Sequence, residues 1–137
     1  AGMHIRVAGP NGYHPRADIV ADAERIAEST GGSVAVLTDP QEAVAGADIV
    51  ITDSWVSMGQ EAEKAQRVAT FSPYRVTPQL MGQAQDDAIF LHCLPAYREF
   101  EVAPEVLDGP QSVVWDEAEN RLHAQKALMA WLLKENK

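Results

Sequence analysis

Apolar positions in this chain gather into short unbroken runs, and between the runs they recur at helical spacing. Met3–Ala8 is a strand-sized run that stops at Gly9-Pro10-Asn11-Gly12, a turn signal. From Ala17 to Ser29 the residues Ile19, Val20, Ala23, Ile26 and Ala27 line one helical face, and Gly31-Gly32 closes the helix as a C-cap. Val34–Leu37 reads as a second strand. Asp39-Pro40-Gln41-Glu42 then supplies an N-cap, a proline at the first helical position and a capping-box acid for a short helix to about Ala45. Asp48–Thr52, Ala88–His92 and Ser112–Trp115 follow as third, fourth and fifth strands, with small helices opening at Thr77-Pro78 and spanning Pro104–Leu107. Asp116 is a further N-cap with Glu119 three residues on. The helix it opens runs to about Lys134 and is expected to bury Leu122, Leu128, Met129 and Leu132.

Strands this apolar, separated by helices, predict an α/β fold: a doubly wound, Rossmann-like parallel sheet of about five strands with helices on both faces. At 137 residues the chain fits a single domain over residues 1–137. It opens directly on a strand, with no glycine-rich strand-to-helix turn before it, so the leading unit of a doubly wound sheet is expected to be absent.

Composition narrows the partners. Eleven Lys and Arg against twenty Asp and Glu give a net charge of −9 with no basic cluster, which argues against nucleic acid and anionic membrane. An anionic substrate needs a local site built from placed arginines or helix N-termini, whereas a small cation suits the field. One cysteine excludes an internal disulfide and no zinc-ligand spacing occurs, so a reducing compartment and no metal are expected. The first residues do not resemble a signal peptide and no apolar run is long enough for a membrane span, which gives a cytoplasmic reading.

In parallel sheets, ligands bind outside the carboxyl ends of the strands. Three segments qualify: Asp53–Gln60 after the third strand, His92–Pro95 after the fourth, and Asp116 with the helix carrying Arg121 after the fifth. Each has a plain structural reading. Cys93 can be a small buried hydrophobe, Asp53 a turn cap and Arg121 the partner of Glu117 four residues earlier. His92 reads as a packing or orienting group, and Trp55 and Trp115 as packing. Together, however, a carboxylate, a hydroxyl, a thiol and a guanidinium at successive strand ends suit an amine nucleophile and an anionic electrophile.

Those segments also carry a resemblance. D-S-W-V-S-M-G-Q at Asp53–Gln60, H-C-L-P at His92–Pro95 and W-D-E-A-E-N-R-L-H-A-Q-K-A at Trp115–Ala127 look like ornithine carbamoyltransferase, in matching order and intervals over essentially the whole chain. The resemblance implies carbamoyl transfer from carbamoyl phosphate to the side-chain amine of L-ornithine, without a metal or organic cofactor. It implies that Asp53, Ser57 and Met58 hold the amino-acid end of ornithine, and that Cys93 lies beside the reacting amine. Leu94 would offer it a backbone carbonyl, Arg121 would reach carbamoyl phosphate, and Leu94-Pro95 would be a cis peptide. It also implies a homo-oligomer, a trimer in the family.

The S-T-R-T-R and H-P-x-Q motifs of the family's carbamoyl-phosphate domain do not occur here, nor does the asparagine-bearing first strand-turn of its ornithine domain. The chain is therefore expected to be most of the second domain, without appreciable activity by itself. The absent strand would lie between the Met3–Ala8 and Asp48–Thr52 strands, so these two either pair directly or leave a slot for another chain. After Arg98 the family usually carries glycine, where this chain has Glu99. The aspartate enzyme lacks the S-M-G loop, and relatives using putrescine or acylated ornithine are expected to change it. A nucleotide-binding module needs a G-x-G-x-x-G turn that Gly9–Gly12 does not supply, and a non-catalytic scaffold is the remaining alternative.

Overall fold

The computed structural model describes residues 2–56, 59 and 61–135. Strand β1 (His4–Ala8), helix α1 (Ala17–Thr30) and strand β2 (Ser33–Leu37) form the first unit. Helix α2 (Pro40–Val44) leads to strand β3 (Ile49–Thr52), and helices α3 (Lys64–Phe71) and α4 (Pro78–Met81) precede strand β4 (Ile89–His92). Helix α5 (Pro104–Leu107) and the long helix α6 (Val114–Glu135) complete the order.

The local signals act through identifiable bonds. Gly31 ends α1 in the left-handed conformation at φ 78°, and its N–H donates to the Ala27 carbonyl. The Asp39 carboxylate accepts the Gln41 N–H at 2.8 Å with Pro40 behind it, and the Thr77 hydroxyl accepts the Leu80 N–H at 3.2 Å with Pro78 in the same role. Helix α3, which the sequence reading does not announce, has no buried residue, although Ala65, Val68, Ala69 and Phe71 make half of it apolar.

Parallel pairing is as expected, but the sheet is divided. β1 pairs with β2 and β3 with β4, and each pair is its own two-stranded sheet. The fifth expected strand contributes one parallel bridge, Ser112 to Phe90. It is flanked by bonds from the Phe90 N–H to the Gln111 carbonyl and from the Val113 N–H to the Phe90 carbonyl. The backbone then turns helical at Val114, which leaves no length for a strand and places Asp116 inside the first turn of α6 instead of at its cap.

β1 and β3 do not pair with each other. Their facing edges line a cavity of about 370 Å³ with Arg6, Ala8, Ile49 and Ile51 on its walls, and Ile51 is 66% exposed. Arg6 reaches across to the C-terminal carbonyls of α2, Glu42 at 3.2 Å and Ala45 at 2.8 Å. Phe71 packs against Tyr13, Trp55 and Tyr74 at centroid distances of 4.8, 6.1 and 6.2 Å, and the Tyr74 hydroxyl donates to the Thr38 carbonyl.

The core lies in the second unit. Val44, Val50, Val76, Leu80, Phe90, Val102, Leu107 and Val114 form one buried cluster, to which no residue before Val44 belongs. The expectation for α6 is corrected: Leu122, Leu128, Met129 and Leu132 are all exposed, Leu122 at 65%. Only Val114 of this helix is buried, and its closest association is with β4. Among the described residues no helix is long and apolar enough to cross a membrane.

Candidate functional site

β3 and β4 run parallel with Thr52 opposite His92, so the next residues, Asp53 and Cys93, leave the two strands side by side. The consequence is a direct contact: Cys93 Sγ donates to Asp53 Oδ1 at 3.3 Å. The same oxygen accepts the Ser54 N–H at 2.7 Å, and the Ser54 hydroxyl donates to the Pro95 carbonyl at 3.0 Å, tying the two strand ends together. Asp53 thus accepts from the residue that follows it while also facing the thiol.

Cys93 is exposed and not a core residue. Desolvation on its buried side, then the Asp53 hydrogen bond and the charges of Asp53 and Glu117, push the thiol above its ordinary value. Near neutral pH it is a thiol that donates to a carboxylate. It is not a thiolate.

His92 is fully buried and plays the orienting part expected of it. Its Nδ1 accepts the Leu94 N–H at 2.9 Å, so the ring proton sits on Nε2, 3.1 Å from Glu101 Oε1. That oxygen also accepts the Tyr97 N–H at 2.6 Å, and Glu101 is itself 1% exposed. Its second oxygen, Oε2, is buried without a hydrogen-bond partner among the described residues. The Glu117 carboxylate accepts the His92 N–H at 2.9 Å, a different role from the pairing with Arg121 that their spacing suggested.

Leu94-Pro95 is a cis peptide and Leu94 has φ 56°. This pair borders two cavities. One, of about 740 Å³, is lined by Cys93, Leu94, Arg98, Trp115, Arg121 and Gln125; the other, of about 380 Å³, by Asp53, Trp55, Lys64, Leu94, Tyr97 and Glu101. Arg121 has no ion-pair partner among the described residues, whereas Arg98 is bidentate to Asp108 at 2.7 and 3.0 Å. Trp55 is buried as expected, but Trp115 is 65% exposed on the first cavity, since α6 turns its first-turn indole away from the core. Ser57 and Met58 lie outside the described residues. Ligand atoms of Asp53, His92 and Cys93 fall within 4.8 Å of one another. His92 Nδ1 and Cys93 Sγ are each engaged in a bond within the site, which leaves the set internally satisfied.

Residues 1–132 match the family model described as aspartate/ornithine carbamoyltransferase, Asp/Orn binding domain. The chain belongs to the aspartate/ornithine carbamoyltransferase family. The ornithine carbamoyltransferase of Clavibacter sepedonicus is 71% identical over 136 residues, 99% of this chain and 44% of that protein. The solved ornithine carbamoyltransferase of Pyrococcus furiosus superposes with a TM-score of 0.88 at 50% identity, over 93% of this chain and 41% of that one. The anabolic enzyme of Campylobacter jejuni gives 0.91 at 38% identity, over 98% and 44%. The chain therefore spans less than half the length of these relatives.

Of the residues named from the sequence, Cys93, Leu94 and Arg121 line one cavity and Asp53 contacts Cys93 at its edge. The sequence reading missed Glu101 and Glu117, which hold His92 from two sides. Glu101 had a detectable signal: a carboxylate inside the apolar run from Phe100 to Ala103 has to be bonded if it is buried. Glu117 carried none, because its spacing from Arg121 supplied a ready alternative.

Proposed function

We propose that residues 1–137 form the ornithine-binding domain of an ornithine carbamoyltransferase, which transfers the carbamoyl group of carbamoyl phosphate to the side-chain amine of L-ornithine, giving citrulline and phosphate. The observation that carries this reading is the Cys93–Asp53 contact at the ends of two hydrogen-bonded strands, beside a cavity that Arg121 also lines. Asp53, Ser57 and Met58 are assigned to the amino-acid end of ornithine, and Cys93 with the Leu94 carbonyl to its reacting amine. The working enzyme includes a carbamoyl-phosphate domain, is a homo-oligomer, trimeric as in the family, and serves arginine biosynthesis in the cytoplasm without a cofactor. This chain alone turns over no substrate.

The chemistry follows from the placement of charge. Ornithine's side-chain ammonium lies beside Cys93, within the field of the adjoining Asp53 carboxylate, and must lose a proton before its nitrogen can attack. Because the raised Cys93 thiol stays protonated, it fixes Asp53 by donating to it, and the carboxylate is the proton acceptor nearest the amine. The nitrogen lone pair then forms the C–N bond to the carbamoyl carbon, the carbon–oxygen bond to phosphate breaks with its electron pair leaving on phosphate, and the second proton shed by the nitrogen passes to the departing phosphate. The Arg121 guanidinium answers the charge that grows on the carbamoyl oxygen and the leaving group. Positioning and electrostatics do the catalysis, with no covalent intermediate.

Calorimetric titration tests the reading. Ornithine is expected to release or absorb heat on binding, putrescine and N-acetylornithine to bind more weakly, and turnover to begin only when a relative's carbamoyl-phosphate domain is added. No heat with ornithine and no turnover on mixing would leave a scaffold domain instead.

A further inference from the structure

Arg75 follows the short 3-10 turn Ser72–Tyr74 and precedes Val76, whose backbone is bridged to Val102. Its guanidinium grips the loop beyond Pro95. Nε donates to the Phe100 carbonyl at 2.8 Å, Nη2 donates to the Glu99 carbonyl, and Nη1 lies 3.5 Å from the Glu99 carboxylate. Glu99 has φ 69°, a left-handed conformation that a residue with a Cβ adopts reluctantly and glycine adopts freely. Two successive carbonyls turned toward one planar fork hold the backbone in that conformation, alongside the Glu99 N–H to Val102 carbonyl and Phe100 N–H to Tyr97 carbonyl bonds, each 3.1 Å. The next residue after this pair is Glu101, whose carboxyl receives the Tyr97 N–H and the His92 ring, and His92 in turn receives the Leu94 N–H.

We propose that Arg75 is a positioning residue for the Cys93–Pro95 edge: it fixes the left-handed Glu99 turn, aims Glu101 at His92, and so sets Leu94 and Cys93 against Asp53. The proposal rests on the carbamoyl-transfer reading only in calling that edge catalytic. Arg75 touches neither cavity flanking Leu94, and acts through Glu101 and His92 alone.

Because Cys93 is the only cysteine, a thiol–disulfide reagent reports on this edge and nothing else. The charged groups that raise its thiol are Asp53 and Glu117. The experiment follows modification rate against pH for the unchanged protein, Arg75→Met, Arg75→Lys, Glu99→Gly and the Arg75→Met/Glu99→Gly pair. No carbamoyl transfer is needed, so its outcome is independent of the proposed activity. Arg75→Met is expected to shift the profile to lower pH and speed modification near pH 8 by about three- to tenfold, with Arg75→Lys recovering part of the difference. Glu99→Gly is expected to keep the profile, and in that background Arg75→Met should change the rate by less than about twofold. A folded Arg75→Met whose profile overlays that of the unchanged protein overturns the proposal, as does equal acceleration in both backgrounds. If Arg75→Met fails to fold alone, the paired variant decides. With glycine taking the left-handed turn unaided it is expected to fold and keep the profile, and an unfolded or shifted paired variant counts against the proposal.

Discussion

Replacing Glu101 with leucine isolates the energetic weight of the buried network behind the site. The substitution keeps side-chain bulk but removes the oxygen that accepts the Tyr97 N–H at 2.6 Å and the His92 Nε2–H at 3.1 Å, at a residue 1% exposed. Each buried donor left without a partner costs about 1–3 kcal/mol, so two cost about 2–6 kcal/mol. Against this, leucine no longer desolvates a carboxyl whose Oε2 has no partner among the described residues, a gain of about 1–2 kcal/mol. The net expectation is a loss centred on about 2.5 kcal/mol. With a urea m-value of about 2 kcal/mol per molar, the midpoint falls by about 1 M. Urea titration followed by tryptophan fluorescence, with buried Trp55 as reporter, measures it. Glu101→Gln keeps an acceptor oxygen and should stay within about 1 kcal/mol of the unchanged protein. The reasoning fails if Glu101→Leu costs less than about 0.5 kcal/mol, or if glutamine costs as much as leucine.

Other expectations concern charge and exposure. Asp53→Asn removes the carboxylate that holds the Cys93 thiol up, so the pH at which Cys93 becomes reactive should fall, as read by its modification rate; an unchanged or higher value would contradict the geometry. The raised thiol also fixes a sign. The folded state keeps this proton to higher pH than the unfolded chain, so its contribution to stability is present below the ordinary thiol range and is lost as pH climbs through the raised folded value. Arg121→Gln should lower kcat/KM for carbamoyl transfer by about a hundredfold or more once a carbamoyl-phosphate domain is supplied, and leave stability nearly unchanged. Leu128→Glu on α6 should alter stability by less than about 0.5 kcal/mol, since that side chain is exposed; a larger loss by urea titration would show that it packs in solution.

Much of the layout was legible before any coordinates. Caps at Asp39, Thr77 and Gly31 are local, short-range bonds that residue identity nearly determines, and all three act as expected. The Asp53–Cys93 encounter needed only strand ends and parallel pairing. What was not legible depends on what stands next to an element. Leu122, Leu128 and Met129 have the pattern of a buried face, yet periodicity reports which side is apolar and not whether anything covers it. Ser112–Trp115 has strand-forming residues, but the helix beginning at Val114 claims half of them. Glu101 was hidden because its role depends on a histidine nine residues earlier, and a hydrogen bond between side chains leaves no periodic trace.

The division between β1 and β3 bears on how the molecule comes apart. Every member of the main cluster follows residue 43, and among the described residues before it only Gly9 and Ala27 are buried. Among the described residues, contacts joining the two parts include α2, the Arg6 bonds to its end, the Tyr13–Phe71 ring contact, the Arg67 guanidinium over the Tyr13 ring and the Tyr74–Thr38 bond. A sheet continuous across that division would make the two parts melt together; without it, the β1–α1–β2 segment is expected to open as a separate cooperative unit of lower stability. Its amides should exchange with solvent well ahead of those of Phe90 and Val102, and heating should produce two transitions instead of one.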